Sequence, residues 1–125
     1  MAVNSFRDLR VWQVSMDMVG AVYTLTRSFP REELYGLAGQ MRRAAVSIPS
    51  NIAEGHTREH SKEYLNYLSM AQASLAELET QIEIASRLNY VSQAVLAQSL
   101  AQVAGLRRQL FALRNALVKR MESHP

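Results

Sequence analysis

The chain of 125 residues is 48% hydrophobic, which leaves room for one domain with one core and argues against disorder. It contains no Cys, so disulfides, thiol nucleophiles and cysteine metal sites are excluded. Its formal net charge of +3 is only mildly basic and does not by itself indicate a nucleic-acid partner. Long segments without Gly or Pro favour helices over a β architecture.

The first two helices are predicted over residues 8–28 and 33–54, separated by Pro30. Asp8 is expected to cap the first helix or lie in its first turn. Pro49 is expected to kink the second helix, and Gly55 to end it. Apolar residues at three- and four-residue spacing form the expected core stripes, Leu9, Trp12, Met16, Val19, Tyr23 and Thr26 in the first helix and Leu37, Met41, Ala44, Ile48 and Ile52 in the second.

The third and fourth helices are predicted over residues 61–88 and 92–121, with Ser61 as an N-cap and a turn at Asn89 and Tyr90. Their apolar stripes are Tyr64, Leu68, Ala71, Leu75, Leu78, Ile82 and Ala85, then Leu96, Leu100, Val103, Leu106, Leu110, Leu113, Leu117 and Met121. Because the connections are short, consecutive helices should be antiparallel neighbours. The sequence therefore predicts an all-α, up-down-up-down four-helix bundle, with residues 1–125 as a single domain.

The expected location is cytoplasmic. Residues 1–8 lack the basic start and apolar stretch of a secretory signal. No apolar run reaches the roughly 18 residues that a membrane span needs, so no membrane partner is expected.

Several segments carry a family resemblance. They are FRDLRVWQ at residues 6–13, FP at 29–30, YGL at 35–37, QMRRAA at 40–45, SIPSNIAEG at 47–55 and LAELE at 75–79. Over residues 6–118 the chain resembles the bacterial four-helix-bundle family of 23S rRNA intervening-sequence proteins. The resemblance implies a bundle that assembles with copies of itself into a ring, a pentamer. The family is related to accessory variability proteins of diversity-generating retroelements, whose pentamers bind a reverse transcriptase and nucleic acid, so by analogy both become candidate partners.

The segment from His56 to His60 spells H-x-x-E-H, a pattern of inverted zinc peptidases. That chemistry needs both His on one helical face, with the Glu as base and a further carboxylate ligand. Because the motif lies between Gly55 and Ser61, it is expected in a turn, where this geometry fails. A polar loop between helices is the favoured interpretation.

Three acids, Glu77, Glu79 and Glu83, could suggest a carboxylate metal site within the bundle. Di-iron bundles need Glu-x-x-His on two helices, and this sequence contains none. A solvated face, or a partner for basic residues of a neighbouring subunit, is favoured. We therefore expect no enzyme activity, catalytic residue, cofactor or metal.

A polar cluster surrounds Pro49. The signature residues that it shares with the resembled family are Ser47, Pro49, Ser50, Asn51, Glu54 and Gly55. Hydroxyls and amides can satisfy backbone groups that proline frees, so a network fixing the kink and the helix register is favoured over a ligand or partner contact.

Basic residues are concentrated near the C-terminus: residues 87–125 contain six bases and one acid, whereas residues 61–86 contain one base and four acids. The candidate nucleic-acid-binding residues are Arg42, Arg43, Arg107, Arg108, Arg114, Lys119 and Arg120. Clustered cations bind phosphates, and a ring would multiply the contacts. With no aromatic interleaving among the cations and no base-reading motif, binding should tolerate any base sequence, and Phe111 is expected to be a core or interface aromatic rather than a stacking platform. An ordinary solvated face or salt bridges to the acidic helix are the alternatives, and a protein–protein adaptor is the rival function.

Apolar residues also lie outside the stripes, and their number favours a subunit interface. They are Val14, Met18, Tyr67, Met70, Ile84 and Val118.

Overall fold

The computed structural model describes residues 5–123, and within them the chain forms four α-helices and no strand. The helices are α1 (Arg10–Thr26), α2 (Leu37–His56), α3 (Ser61–Arg87) and α4 (Gln93–Ser123). Short 3-10 turns at Phe6–Asp8 and Arg31–Glu33 precede α1 and α2. The protein is all-helical, consistent with a four-helix bundle. The part of the secretory-signal prediction that concerns residues 1–4 lies outside the described residues.

The centre of the core is the α2–α3 pair, with α1 packed mainly on α2 and α4 mainly on α3. The predicted α3 stripe, from Tyr64 to Ala85, is buried at all seven positions, and on α2 only Leu37 is less than fully buried. On α4 the stripe is buried in the middle, from Val103 to Leu110, and ends with Met121 exposed. The three- and four-residue spacing therefore identified the correct face of these three helices. None of the helices within residues 5–123 has the length and apolarity needed to cross a bilayer.

The predicted core face of α1 is correct only in part: Leu9, Trp12 and Val19 are partly buried against the core, but two other residues are not. Met16 and Tyr23, placed in the core by their spacing, are 45% and 38% exposed. The other buried residues of α1 are Val11, Ser15, Met18 and Val22, whereas Thr26 of the predicted stripe is buried as expected. Apolar residues occupy two adjacent faces of this helix, so the spacing fits either face. Met18, assigned to a subunit interface, consequently belongs to the core.

Several helix ends differ from the prediction. Residue Leu9, not Asp8, occupies the N-cap of α1, and His60, not Ser61, that of α3; neither makes a side-chain cap bond. The Arg31–Glu33 turn delays the start of α2, and the Glu33 Oε1 atom accepts a hydrogen bond from the Leu37 amide at 3.1 Å. A side chain before the helix thus caps it, as the amides of a first turn require.

The α3–α4 turn is confirmed at Asn89 and Tyr90. Asn89 has φ 63°, and the Tyr90 amide donates to the Ala85 carbonyl at 2.9 Å, the pattern of a helix ended by a left-handed residue. The Tyr90 hydroxyl also donates to Glu33 Oε2 at 2.8 Å, and its ring lies 5.2 Å from that of Phe29. The turn is thereby attached to the α1–α2 connection.

Candidate nucleic-acid interface

One hydroxyl of the signature segment, that of Ser47, joins α2 to α3, and further hydrogen bonds connect the segment within α2. The Ser47 and Ser74 hydroxyls are 2.8 Å apart and hydrogen-bonded. Asn51 Nδ2 donates to the Ser47 carbonyl at 2.9 Å and to its hydroxyl at 3.0 Å, and the Ser50 hydroxyl donates to the Val46 carbonyl at 2.8 Å. These contacts give the half-buried Ser47 and Asn51 the hydrogen-bond partners that such groups need, whereas Ser50 is exposed.

Gly55 does not end α2, as the sequence predicted, but lies buried within it. A Cβ at this position would stand 2.8 Å from Tyr64 Cδ1 and 2.8 Å from Tyr67 Cβ, so glycine allows α2 and α3 to approach closely. Pro49 is buried inside the same helix, whereas the Glu54 side chain is exposed. Close packing, rather than helix termination, explains this glycine.

The H-x-x-E-H segment forms the connection between α2 and α3, where the sequence predicted a loop, with residues 57–60 outside both helices. His56 is the last residue of α2 and His60 is the N-cap of α3, so the two imidazoles do not share one helical face. His56 Nδ1 lies 3.4 Å from the hydroxyl of Tyr64, and burial raises the pKa of Tyr64 to about 12. Within residues 5–123, no group of three or more His, Asp or Glu side chains has the arrangement of a metal site.

Two of the candidate basic residues, Arg107 and Arg114, line one groove between α3 and α4, beside the exposed ring of Phe111. Arg107 also forms a salt bridge with Glu79 of α3. That pair joins the basic helix to the acidic one within a single chain, so part of the charge asymmetry is used to pack α4 on α3.

Other candidates project into solvent. Arg108, Lys119 and Arg120 of α4 and Arg43 of α2 are exposed. Within the part of the chain from Ser5 to Ser123, no acid lies within salt-bridge distance of any of these four. Their charges are available to an external anion.

Arg42 is separate from this group. Its Nε donates to the Thr26 hydroxyl at 2.9 Å, and its guanidinium lies 4.8 Å from the centre of the Tyr23 ring, so it links α2 to α1. Arg27 and Arg31 line the same groove, of about 300 Å³. Sequence reasoning missed both, although two bases flanking Phe29-Pro30 were a visible signal.

An apolar groove of about 320 Å³ lies between α1 and α2. It is lined by Phe6, Trp12, Met16, Val19, Val46, Pro49, Ser50 and Ala53. Much of this lining is the stripe that the sequence placed in the core. The rings of Phe6 and Trp12 meet edge to face, with centroids 5.3 Å apart. Open apolar surface of this kind is typical of a protein–protein contact.

Four helices, a heptad core and basic outer surfaces define a small helical-bundle protein. A model of the 23S rRNA-intervening sequence protein family matches residues 7–112, and the chain belongs to that family. The family resemblance predicted from the sequence segments is thereby confirmed. No curated protein matches the sequence.

Proposed function

We propose that the protein is a non-catalytic, homo-oligomeric scaffold that binds RNA or DNA phosphates through basic helix faces. The observation that carries this proposal is the set of exposed cations on α4, Arg108, Lys119 and Arg120, without acidic partners within residues 5–123. Binding of phosphates by such cations releases counterions and requires no pocket. The family name refers to an rRNA sequence, which agrees with this class of partner.

Self-association is supported by the apolar groove between α1 and α2. Met16 and Val46, on its two walls, are 45% and 41% exposed, which is costly for a monomer in water. A second copy covering this groove would bury them. In a closed ring, the groove of every subunit would be covered in the same way. Each added copy also adds a set of cations, so weak phosphate contacts combine.

Within each subunit we propose an antiparallel, up-down-up-down order of helices. Ser47 contacts Ser74, while His56, further along α2, contacts Tyr64, earlier in α3. Opposite chain directions account for this pairing. The proposed setting is the cytoplasm, a reducing compartment with which a chain without Cys is compatible.

The proposal is tested by the salt dependence of binding to labelled, random-sequence RNA and DNA. A triple variant with Arg108, Lys119 and Arg120 changed to Gln should reduce the magnitude of the slope of log affinity against log salt by about 3, roughly one per lost phosphate contact. The control changes Arg10, Lys62 and Arg87 to Gln, which removes the same charge from other exposed positions.

The control should change that slope by less than about 1. Equal effects of the two triple variants would mean that net charge, rather than the α4 surface, attracts nucleic acid. Undetectable binding by the unmodified protein at low salt would contradict the proposal.

A protein–protein adaptor is the second candidate. It is favoured by Tyr35, which is 91% exposed, next to Leu34, which is 45% exposed, in the α1–α2 connection. A stoichiometric protein and no nucleic acid recovered with the purified chain would support the adaptor and contradict phosphate binding.

A further inference from the structure

A groove of about 470 Å³ lies between α3 and α4. Ser69, Gln72 and Leu75 line it from α3, and Arg107, Phe111 and Arg114 from α4. Leu75 is 1% exposed and closes the floor, while Phe111 is 49% exposed on the wall. A groove of this volume is large enough for a small organic group.

The spacing on α4 places an aromatic ring between two cations. Arg107, Phe111 and Arg114 are four and three residues apart, so they share one helical face. Their positions span roughly 10 Å along the helix axis, with the ring between the two guanidinium groups. Aromatic faces stack on nucleobases and arginines bind phosphates, which is the combination found in surfaces that bind single strands.

We propose that this groove binds single-stranded RNA or DNA, with a base stacked on Phe111 and the adjacent phosphates on Arg107 and Arg114. This inference rests on the proposed nucleic-acid-binding function and assigns its ligand class. Ser69 and Gln72, on the opposite wall, offer a hydroxyl and an amide that can accept hydrogen bonds from any base edge or donate hydrogen bonds to it. The site is therefore tolerant of base sequence.

Single strands are favoured over duplexes because only an unpaired base exposes a face to Phe111. A base within a duplex would first have to be unstacked, which costs free energy. A protein segment is a less suitable occupant, because the groove presents two guanidinium groups and a polyanion matches them in charge.

The salt bridge with Glu79 has two consequences for this site. It holds Arg107 at the edge of the groove, and it neutralises part of the charge that a phosphate would meet. Replacement of the acid, Glu79→Gln, should therefore strengthen nucleic-acid binding and steepen its salt dependence.

The test compares short, labelled, random-sequence single strands of RNA and DNA with the corresponding duplexes at fixed low salt. Phe111→Leu should weaken single-strand binding by at least about fivefold and leave duplex binding unchanged, because the loss of stacking affects only unpaired bases. Phe111→Tyr should retain single-strand affinity. Arg108→Gln, an exposed neighbour outside the groove, should weaken both by the same factor.

Unchanged single-strand affinity in Phe111→Leu, or an equal loss for duplexes, would overturn the assignment of this groove while leaving phosphate binding intact. Failure of the unmodified protein to bind any strand would contradict the proposed function as well. Light scattering is run on each variant. A changed particle mass for Phe111→Leu would show that the groove is an interface between copies, which also overturns the inference.

Discussion

Glycines ordinarily weaken helices, and at the residue scale two helical glycines of this chain lie in contrasting environments. Gly55 of α2 meets the two tyrosines of α3, whereas Gly20 of α1 is exposed and nothing would lie within 4 Å of a Cβ added to it. Helix propensity favours alanine equally at both positions. The surroundings therefore decide whether replacing each glycine by alanine raises or lowers the free energy of unfolding.

Gly55→Ala should lower the free energy of unfolding by about 1–2 kcal/mol, because the added methyl overpacks a contact with Tyr67 Cβ that cannot rotate away. Gly20→Ala should raise it by about 0.5–1 kcal/mol, through helix propensity alone. Urea denaturation followed by circular dichroism measures both. Stabilisation by Gly55→Ala would show that α2 and α3 separate without cost.

The phenol of Tyr64 should make stability depend on alkaline pH. Burial raises its pKa from 10.0 to about 12, so the folded state holds the proton more tightly than the unfolded chain. The contribution of this pKa difference to the free energy of unfolding is complete below pH 10 and is lost as the pH rises towards 12. Denaturation across this range should show a smaller loss of stability in Tyr64→Phe than in the unmodified protein. An equal loss of stability in the two proteins would mean that the ionisation of other groups causes it.

At the scale of elements, the α2–α3 pair combines an apolar seam with polar contacts between the two helices. The hydroxyls of Ser47 and Ser74 meet across the interface, and Asn51 satisfies Ser47 from within α2. Apolar seams tolerate sliding between helices, but a directional hydrogen bond has one geometry. We propose that this hydrogen bond fixes how the two central helices are aligned.

A double-mutant cycle on Ser47→Ala and Ser74→Ala should give a coupling free energy of about 0.5–1.5 kcal/mol, the usual net value of one hydrogen bond. Ser50→Ala is the control, since its hydroxyl bonds only to the Val46 carbonyl of the same helix, and it should change stability by less than about 0.5 kcal/mol. Additive losses for Ser47 and Ser74 would mean that the contact contributes nothing to the alignment.

At the scale of the whole molecule, the apolar groove and the basic surface have different tasks in the proposed assembly. The groove between α1 and α2 would join copies, while the exposed cations of α4 would face the ligand. The two surfaces belong to different helices, so a substitution can remove either property alone.

Met16→Glu, in the groove, should reduce the particle mass measured by light scattering to that of a single chain, because a buried unpaired carboxylate is costly at an interface. Met121→Glu is the matched control at an exposed methionine near the end of α4, and it should leave the mass unchanged. A single-chain mass for the unmodified protein would contradict the proposed self-association.

The number of helices, the buried faces of α2 and α3 and the turn at Asn89 could all be predicted from the amino-acid sequence. These features follow from local rules: one apolar stripe per helix leaves one way to bury it, and a left-handed residue ends a helix. The candidate cations could likewise be named from charge clustering alone. Their individual partners could not.

The buried face of α1, the role of Gly55 and the contacts of Arg42 and Arg107 became evident from the packing of the helices against one another. Each depends on what a second helix presents across the contact. Periodicity describes a helix by itself, so it cannot choose between two adjacent apolar faces or distinguish a free guanidinium from a paired one. The groove containing Phe111 was hidden for the same reason, since one wall comes from α3 and the other from α4.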